Sequence, residues 1–310
     1  MVTGGAGFLG VRLCALLRSR GVTDLVVPDL PAVDLTSGPQ TAELFAQSKP
    51  DIVFHLAARV GGIGANRKHP GTFFRDNMAM GLNVLEQSRK AGVAKVVIAG
   101  TVCAYPKHTP VPFREDDLWN GYPEETNAPY GIAKKALLVM AQGYRQEFGS
   151  NFVMVFPVNL YGPGDSFDVE DSHVIPAMVR KLVEAKLSEQ PSVTLWGDGS
   201  PTREFLYVDD AAAGLLLTAE RYNSPEPMNL GAGFEISIRA LAEEIRKAAQ
   251  YEGELAWDQS KPNGQPRRML DVSRARERIG FTAHVSLQDG LRRTIDWYSA
   301  NREQILARWP

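Results

Sequence analysis

A tyrosine and a lysine four residues apart, Tyr130 and Lys134, share one face if they lie on a helix. An ammonium beside a phenol favours the phenolate, so Lys134 is expected to pull Tyr130 below the usual tyrosine value of about 10. A phenol tuned in this way is suited to exchanging a proton with a substrate hydroxyl. Tyr-x-x-x-Lys alone is common by chance. Two upstream features make it specific: the glycine run Gly4-Gly5-Ala6-Gly7-Phe8-Leu9-Gly10, and the hydroxyl residue in Thr101-Val102-Cys103. Thr101 ends an apolar stretch, and its hydroxyl is expected to bond the substrate oxygen opposite Tyr130.

Gly4, Gly7 and Gly10 follow Gly-x-x-Gly-x-x-Gly. The first permits a tight turn, the second lets backbone approach a pyrophosphate, and the third packs helix on strand. The helix N-terminus then faces negative charge, as a dinucleotide requires. A nicotinamide dinucleotide would exchange hydride with the carbon whose oxygen Tyr130 serves. Asp29, after the second strand, can accept hydrogen bonds from an adenine ribose 2′-hydroxyl and would repel a 2′-phosphate. No Arg or Lys lies between Arg20 and Lys49, which favours NAD and leaves NADP open. The alternative for Asp29 is a turn residue beside Pro28, and Asp34 either touches the adenine edge or caps a turn.

If the chain stays extended beyond Gly100, Cys103 shares the face of Thr101 and brings a thiol near the reacting group; a free Cys is equally well a small buried hydrophobe. His173 stands just before a helix. An isolated loop His is most often a polar surface group, but the loop before it should fold over the edge that carries Thr101 and Tyr130. A thiol and an imidazole on opposite sides of a sugar could move protons at neighbouring carbons. Arg203 follows Trp196-Gly197-Asp198-Gly199-Ser200-Pro201-Thr202. A Gly-rich turn between an indole and a guanidinium suits a nucleotide diphosphate, although an ordinary hairpin with a surface Arg has the same pattern. Lys181 and Lys261 are weaker phosphate candidates. No Cys/His cluster has zinc spacing, and no metal is expected.

These residues need a scaffold, and 310 residues with 44% apolar content are ample for one. A net charge of −2 argues against nucleic acid or an anionic membrane as main partner. No apolar run is long enough to span a bilayer, and no signal peptide precedes the glycine loop. Two cysteines, Cys14 and Cys103, suggest no disulfide framework, and Cys14 is expected to pack on the first helix; a reducing cytoplasm is the simplest compartment. Asp24–Val27, Ile52–Ala58, Lys95–Gly100 and Phe152–Phe156 read as strands; Val11–Arg20, Thr72–Ala91 and Tyr130–Phe148 read as helices. The alternation predicts a Rossmann-type, doubly wound parallel sheet. Only Met1-Val2 precede the glycine loop, so either the chain continues upstream or the first strand is unusually short. After Pro157 the pattern changes to a Gly/Pro/Asp-rich loop over Asn159–Asp171, helices at Val174–Leu187, Ala211–Glu220, Ile238–Ala249 and Leu287–Arg302, and a strand at Ser192–Trp196. Residues 1–157 are expected to form the dinucleotide-binding domain, with elements returning around 205–230. Residues 158–204 and 231–310 are expected to form a smaller mixed α/β substrate lobe.

Taken together, Leu56-Ala57-Ala58-Arg59-Val60-Gly61-Gly62-Ile63, Cys103-Ala104-Tyr105-Pro106, Glu125–Tyr130, Pro157–Pro163, Ser172–Ala177 and Arg203–Leu206 make the chain resemble the extended short-chain dehydrogenase/reductase family of nucleotide-sugar enzymes. Within it, the chain looks most like the GDP-L-fucose synthase group of 3,5-epimerase/4-reductases. The resemblance implies a Thr101–Tyr130–Lys134 triad and a Cys103/His173 epimerisation pair. It places Phe8, Leu9, Leu35, Leu56, Ala57, Ala58, Pro157, Asn159 and Leu160 along the dinucleotide. It places Asn159, Val174, Lys181, Trp196, Arg203 and Lys261 along a nucleotide-diphosphate sugar. It further implies a homodimer through helices beginning near Thr72 and Tyr130. The implied reaction inverts carbons 3 and 5 of a 4-keto GDP-hexose and then reduces carbon 4. Pro28-Asp29-Leu30 departs from the basic residues of an NADPH reductase and keeps open a redox-neutral epimerase with tightly held NAD. A cofactor-binding sensor without turnover needs only the glycine loop, and the Thr-Tyr-Lys set weighs against it.

Overall fold

The computed structural model describes the whole chain apart from residues 169–171, 262, 264 and 310 and the side chain of Ile63. The first half runs β1 (Val2–Thr3), α1 (Phe8–Ser19), α2 (Gly38–Ser48), β2 (Ile52–His55), α3 (Ile63–Lys68), α4 (Pro70–Lys90), β3 (Lys95–Ala99), α5 (Ala128–Phe148) and β4 (Phe152–Pro157). The second half has strands β5 (Asn159–Tyr161), β6 (Ser192–Trp196), β7 (Thr202–Arg203), β8 (Phe205–Tyr207), β9 (Met228–Leu230), β10 (Ile236–Ser237), β11 (Glu254–Asp258) and β12 (Arg267–Arg268). Its helices are α6 (Val174–Leu187), α7 (Val208–Arg221), α8 (Ile238–Ala249), α9 (Ser273–Ile279), α10 (Leu287–Ala300) and α11 (Arg302–Arg308).

Strands β1, β2, β3, β4 and β9 form one parallel sheet in the order β1-β2-β3-β4-β9. Every residue of β3 is buried, as a parallel strand covered on both faces requires. Helix α4 packs on α5, and α1 on α7, to give a doubly wound Rossmann-type core with a smaller mixed lobe. That lobe gathers a second apolar cluster around Tyr161, Phe167, Leu182, Ile245, Leu291 and Tyr298, from α6, α8, α10 and neighbouring strands. There β6 runs parallel to β11, while β7 lies between β10 and β12.

Two expectations need correction. Asp24–Val27 forms no strand: Val2 N–H donates to the Val26 carbonyl at 2.8 Å, but a two-residue β1 offers no further edge to pair with. The expected loop from Asn159 opens instead as β5, which pairs parallel to β8; the end of that loop falls outside the described residues. Cys14 is buried in α1, as expected, its thiol 3.8 Å from the Gly5 carbonyl.

Helix α5 starts with Pro129 in its first turn, where a missing N–H costs nothing, and stops at Gly149 in the left-handed conformation (φ 70°). Between these ends it lies against the turn Val102–Ala104. The contact is closest at Gly131, where a Cβ would sit 2.4 Å from the Cys103 carbonyl oxygen. In an open helix Gly→Ala is worth up to about 1 kcal/mol of stabilisation. Here the clash reverses the sign: Gly131→Ala is expected to destabilise by about 1–3 kcal/mol in chemical denaturation. An unchanged or raised midpoint would show that α5 does not rest on this turn.

Candidate functional site

The segments that leave β1, β2, β3 and β4 open onto one cavity of about 670 Å³. Right-handed crossovers bring these strand ends to one edge of the sheet. All the expected dinucleotide residues line the cavity: Gly4, Gly7, Phe8, Leu9, Gly10, Asp29, Asp34, Leu35, Leu56, Ala57, Ala58, Tyr130, Lys134, Pro157, Asn159 and Leu160. So do Thr101, Cys103, His173 and Arg203.

The glycine loop has the geometry of a phosphate cradle. Gly4 has φ 72°, and a Cβ there would lie 2.7 Å from the Ala57 amide nitrogen. A Cβ on Gly10 would lie 2.1 Å from the Gly4 carbonyl oxygen. The loop is thus pressed against the segment after β2, with the N-terminus of the twelve-residue α1 directed from it. Asp29 accepts from Leu30 N–H at 2.9 Å. Asp34 does both things weighed for it. It lines the cavity, and its carboxylate closes a turn by accepting from Thr36 N–H (2.9 Å) and Oγ1 (2.8 Å), bonds that hold it below the usual carboxylate range.

Thr101 and Cys103 meet by a different route from the one expected. The chain is not extended after Gly100; Val102–Ala104 form a 3-10 turn, capped by the Thr101 hydroxyl, which accepts from Cys103 N–H at 3.2 Å. The tight turn folds Cys103 back into the cavity wall. Tyr130 and Lys134 are on α5, one turn apart, and both are buried. The expected lowering of Tyr130 is not present: burial pushes the phenol well up, with a further push from Cys103, and the opposing influence is the Thr101 hydroxyl rather than the Lys134 ammonium. Burial likewise lowers Lys134 to about 8. Desolvation therefore outweighs the expected pairing.

His173 precedes α6 with its side chain about half exposed (51%), Nδ1 3.9 Å from the buried Asp165 carboxylate, which raises the imidazole. Arg203 is lowered to about 10, chiefly by burial and then by neighbouring Arg268. Sequence reading missed Arg268. Its Nη1 approaches the Cys103 sulfur at 3.8 Å, while Gln265 Oε1 accepts from Nε and Nη2 at 3.2 and 3.1 Å. Asn263, Gln265, Glu124 and Arg59 also line the cavity. No local motif marks Arg268; it arrives because β12 pairs in register with β7, setting Arg268 opposite Arg203.

The remaining expected substrate residues stand apart from the cavity wall. Trp196 is exposed, and Lys181 and Lys261 place their Nζ atoms 5.9 and 5.6 Å from its ring centre. Val174 opens α6 and packs against the second apolar cluster. Among the described residues no group of three or more His, Cys, Asp or Glu gathers to hold a metal, and no helix is long and apolar enough to cross a membrane.

The model of the NAD dependent epimerase/dehydratase family matches residues 1–231. The chain belongs to that family. GDP-L-fucose synthase 1 of Arabidopsis thaliana is 41% identical over 300 residues, 97% of this chain and 93% of that one. A GDP-6-OMe-4-keto-L-xylo-heptose reductase from C. jejuni superposes with a TM-score of 0.92 at 28% identity, covering 97% of each chain. A GDP-L-fucose synthetase from Naegleria fowleri bound to NADP gives 0.89 at 29% identity, covering 97% of this chain and 92% of that one. This epimerase/dehydratase family member is an NAD(P)-dependent nucleotide-sugar enzyme, and its glycine cradle fits the dinucleotide.

Beneath the cavity lies a second buried base. His55 ends β2, its Nδ1 2.8 Å from Thr3 Oγ1; burial, and then the Lys134 charge, lower it to about 3. Between the ordinary His value and about 3 the unfolded chain binds a proton that the fold refuses. Stability from neutral His55 is therefore present above about pH 6.5 and lost as pH falls, by about 1.4 kcal/mol per pH unit. His55→Gln is expected to flatten the slope of denaturation free energy between about pH 4 and about pH 6. An unaltered slope would assign the acid sensitivity to another group.

Proposed function

We propose that the protein is a GDP-L-fucose-synthase-like epimerase/reductase acting on a 4-keto GDP-hexose. The reading is carried by one arrangement: a triad-type hydroxyl, phenol and amine share a cavity with a thiol, an imidazole and the guanidinium groups of Arg203 and Arg268. When bound, the nicotinamide cofactor supplies hydride for sugar carbon 4. Lys134 would hold the nicotinamide ribose and steady Tyr130, which gives its proton to the oxygen at carbon 4 while Thr101 fixes that oxygen. Cys103 and His173 act first, as base and acid from opposite faces, to invert carbons 3 and 5 through enolates; the 4-keto group makes those hydrogens acidic. Asp165 favours the protonated imidazole that an acid requires. Arg203 and Asn159 would hold the nucleotide sugar, with Val174, Trp196, Lys181 and Lys261 extending its site beyond the cavity wall. The division of labour between residues 1–157, with their returning segments, and the second lobe follows from this reading.

Asp29, with no Arg or Lys between Arg20 and Lys49, is the sequence feature that supports NAD as the dinucleotide, and it also supports a second reading, the redox-neutral epimerase that keeps one NAD bound. The mass of the nucleotide released from denatured protein separates the two. Tightly held NAD favours the redox-neutral enzyme; NADP, or an empty site that prefers NADPH, overturns the role given to Asp29. Leu82 on α4 and Val139 on α5, each about half exposed, support a homodimer through these helices. Two free cysteines suit a cytoplasmic setting.

Cys103→Ser and His173→Gln are expected to lower solvent deuterium entry at carbons 3 and 5 by at least roughly a hundredfold, while Tyr130→Phe lowers hydride transfer by roughly 10²–10⁴. Exchange left intact by both first variants would remove Cys103 and His173 from the mechanism.

A further inference from the structure

Glu204 is fully buried and lies outside the cavity wall, yet it is tied to the segments that carry Asn159, Arg203 and Arg268 into that wall. Oε1 accepts from Gly233 N–H and Oε2 from Leu270 N–H, each at 2.7 Å, and Ala232 N–H is a third donor. The Glu204 main chain is tied on both sides: its N–H donates to the Arg268 carbonyl at 3.1 Å, and its carbonyl accepts from Asn159 Nδ2 at 3.0 Å. A Cβ on Gly231 would lie 2.3 Å from Oε1, so the turn after β9 closes directly over the carboxylate. One residue thus joins β5, the β7–β8 junction, the turn after β9 and the chain leaving β12. Three of these carry a cavity residue: Asn159, Arg203 and Arg268.

Three amide donors converge on two oxygens. A carboxylate accepts from all of them, whereas an amide or a protonated acid turns a donor against a donor. We propose that Glu204 is a positioning residue that, as the carboxylate, sets Asn159, Arg203 and Arg268 at the spacing a nucleotide sugar needs. The inference rests on the reading of the cavity given above.

Burial pushes Glu204 up to about 7 against the backbone donors that lower it, and Glu235 adds to the push. The charge that acts on it is Glu235, itself paired with Arg267; the neighbouring segments also carry Arg203, adjacent in sequence, and Arg268 on β12. Asn159, the turn Gly231–Gly233 and Leu270 present neutral groups, and Asp271 next to Leu270 accepts from Ser273 N–H. As pH rises through about 7 the carboxylate forms and substrate affinity rises. Stability moves the other way. The fold holds this proton more tightly than the unfolded chain does, so the stability it gives is full below the ordinary Glu value and lost as pH rises through about 7. Structural support alone would not raise affinity while stability falls.

The test is calorimetric titration of wild type and Glu204→Gln with GDP-mannose, whose diphosphate diester has no group ionising near neutrality. His173 also titrates in the cavity, so the readout is the difference between the two proteins. Glu204→Gln is expected to bind about tenfold more weakly at about pH 8 and within about threefold of wild type at about pH 6. Parallel pH profiles would overturn the proposal. Should Glu204→Gln fail to fold, wild-type affinity that does not rise through neutrality overturns it equally. Failure of either protein to bind any GDP- or UDP-sugar at either pH would instead sink the nucleotide-sugar reading, and the inference with it.

Discussion

The reactive groups meet because α5 closes on the turn Val102–Ala104 at a point where no side chain fits. Gly131 lets the helix backbone approach the Cys103 carbonyl, with Tyr130 immediately before it and Lys134 one turn further on. The same turn is capped by Thr101 and carries Cys103. One missing Cβ therefore fixes hydroxyl, thiol, phenol and amine relative to each other. The sheet sets the height of this junction, because β3 ends at Ala99 and the turn begins within a few residues of it. A larger residue at 131 would separate the helix half of the site from the strand half, and no rearrangement within either half could restore it.

Desolvation is the main electrostatic force on the buried groups in and around this cavity, whereas His173 and Asp34 are set first by hydrogen bonds. It raises Tyr130 and Glu204 and lowers Lys134, Arg203 and His55, so each group is pushed toward its neutral form. A ligand that brings its own charge changes that balance: a diphosphate beside Arg203 and Arg268 favours both cations. Burial holds Tyr130 protonated, the state from which the proposed reading would have it donate.

The sheet and most helices were legible because apolar strands alternating with amphipathic helices leave few other packings. Helices α6 and α8 and strand β6 fall at the expected residues. Asp24–Val27 misled because strand character depends on a partner edge, and β1 is two residues long. The cavity residues near the N-terminal motifs were legible from spacing. Arg268, Gln265 and Glu204 were not, because their roles follow from β12 pairing with β7, a contact between segments far apart in sequence. The state of Tyr130 was misjudged for a related reason: spacing gives proximity to Lys134, but it does not give the burial that outweighs it.

The two lobes contribute different groups to one cavity. The sheet edge provides the glycine cradle, the phenol and the thiol; the second lobe provides guanidinium groups, and an indole flanked by two ammonium groups beyond the cavity wall. In the proposed reading a nucleotide sugar would span the seam between the lobes, and its reacting carbon would be placed only as well as the seam is held. The short strands β5, β7, β8 and β12 make few ladder bonds of their own, so alignment there falls to side chains that bridge them. Glu204 bonds to Leu270, Gly233, Asn159 and Arg268 at once, and so bridges these short strands much as the close approach at Gly131 joins α5 to the turn after β3. At one end a close approach needs the absence of a side chain; at the other, short strands are bridged by one buried side chain that accepts from several backbone donors.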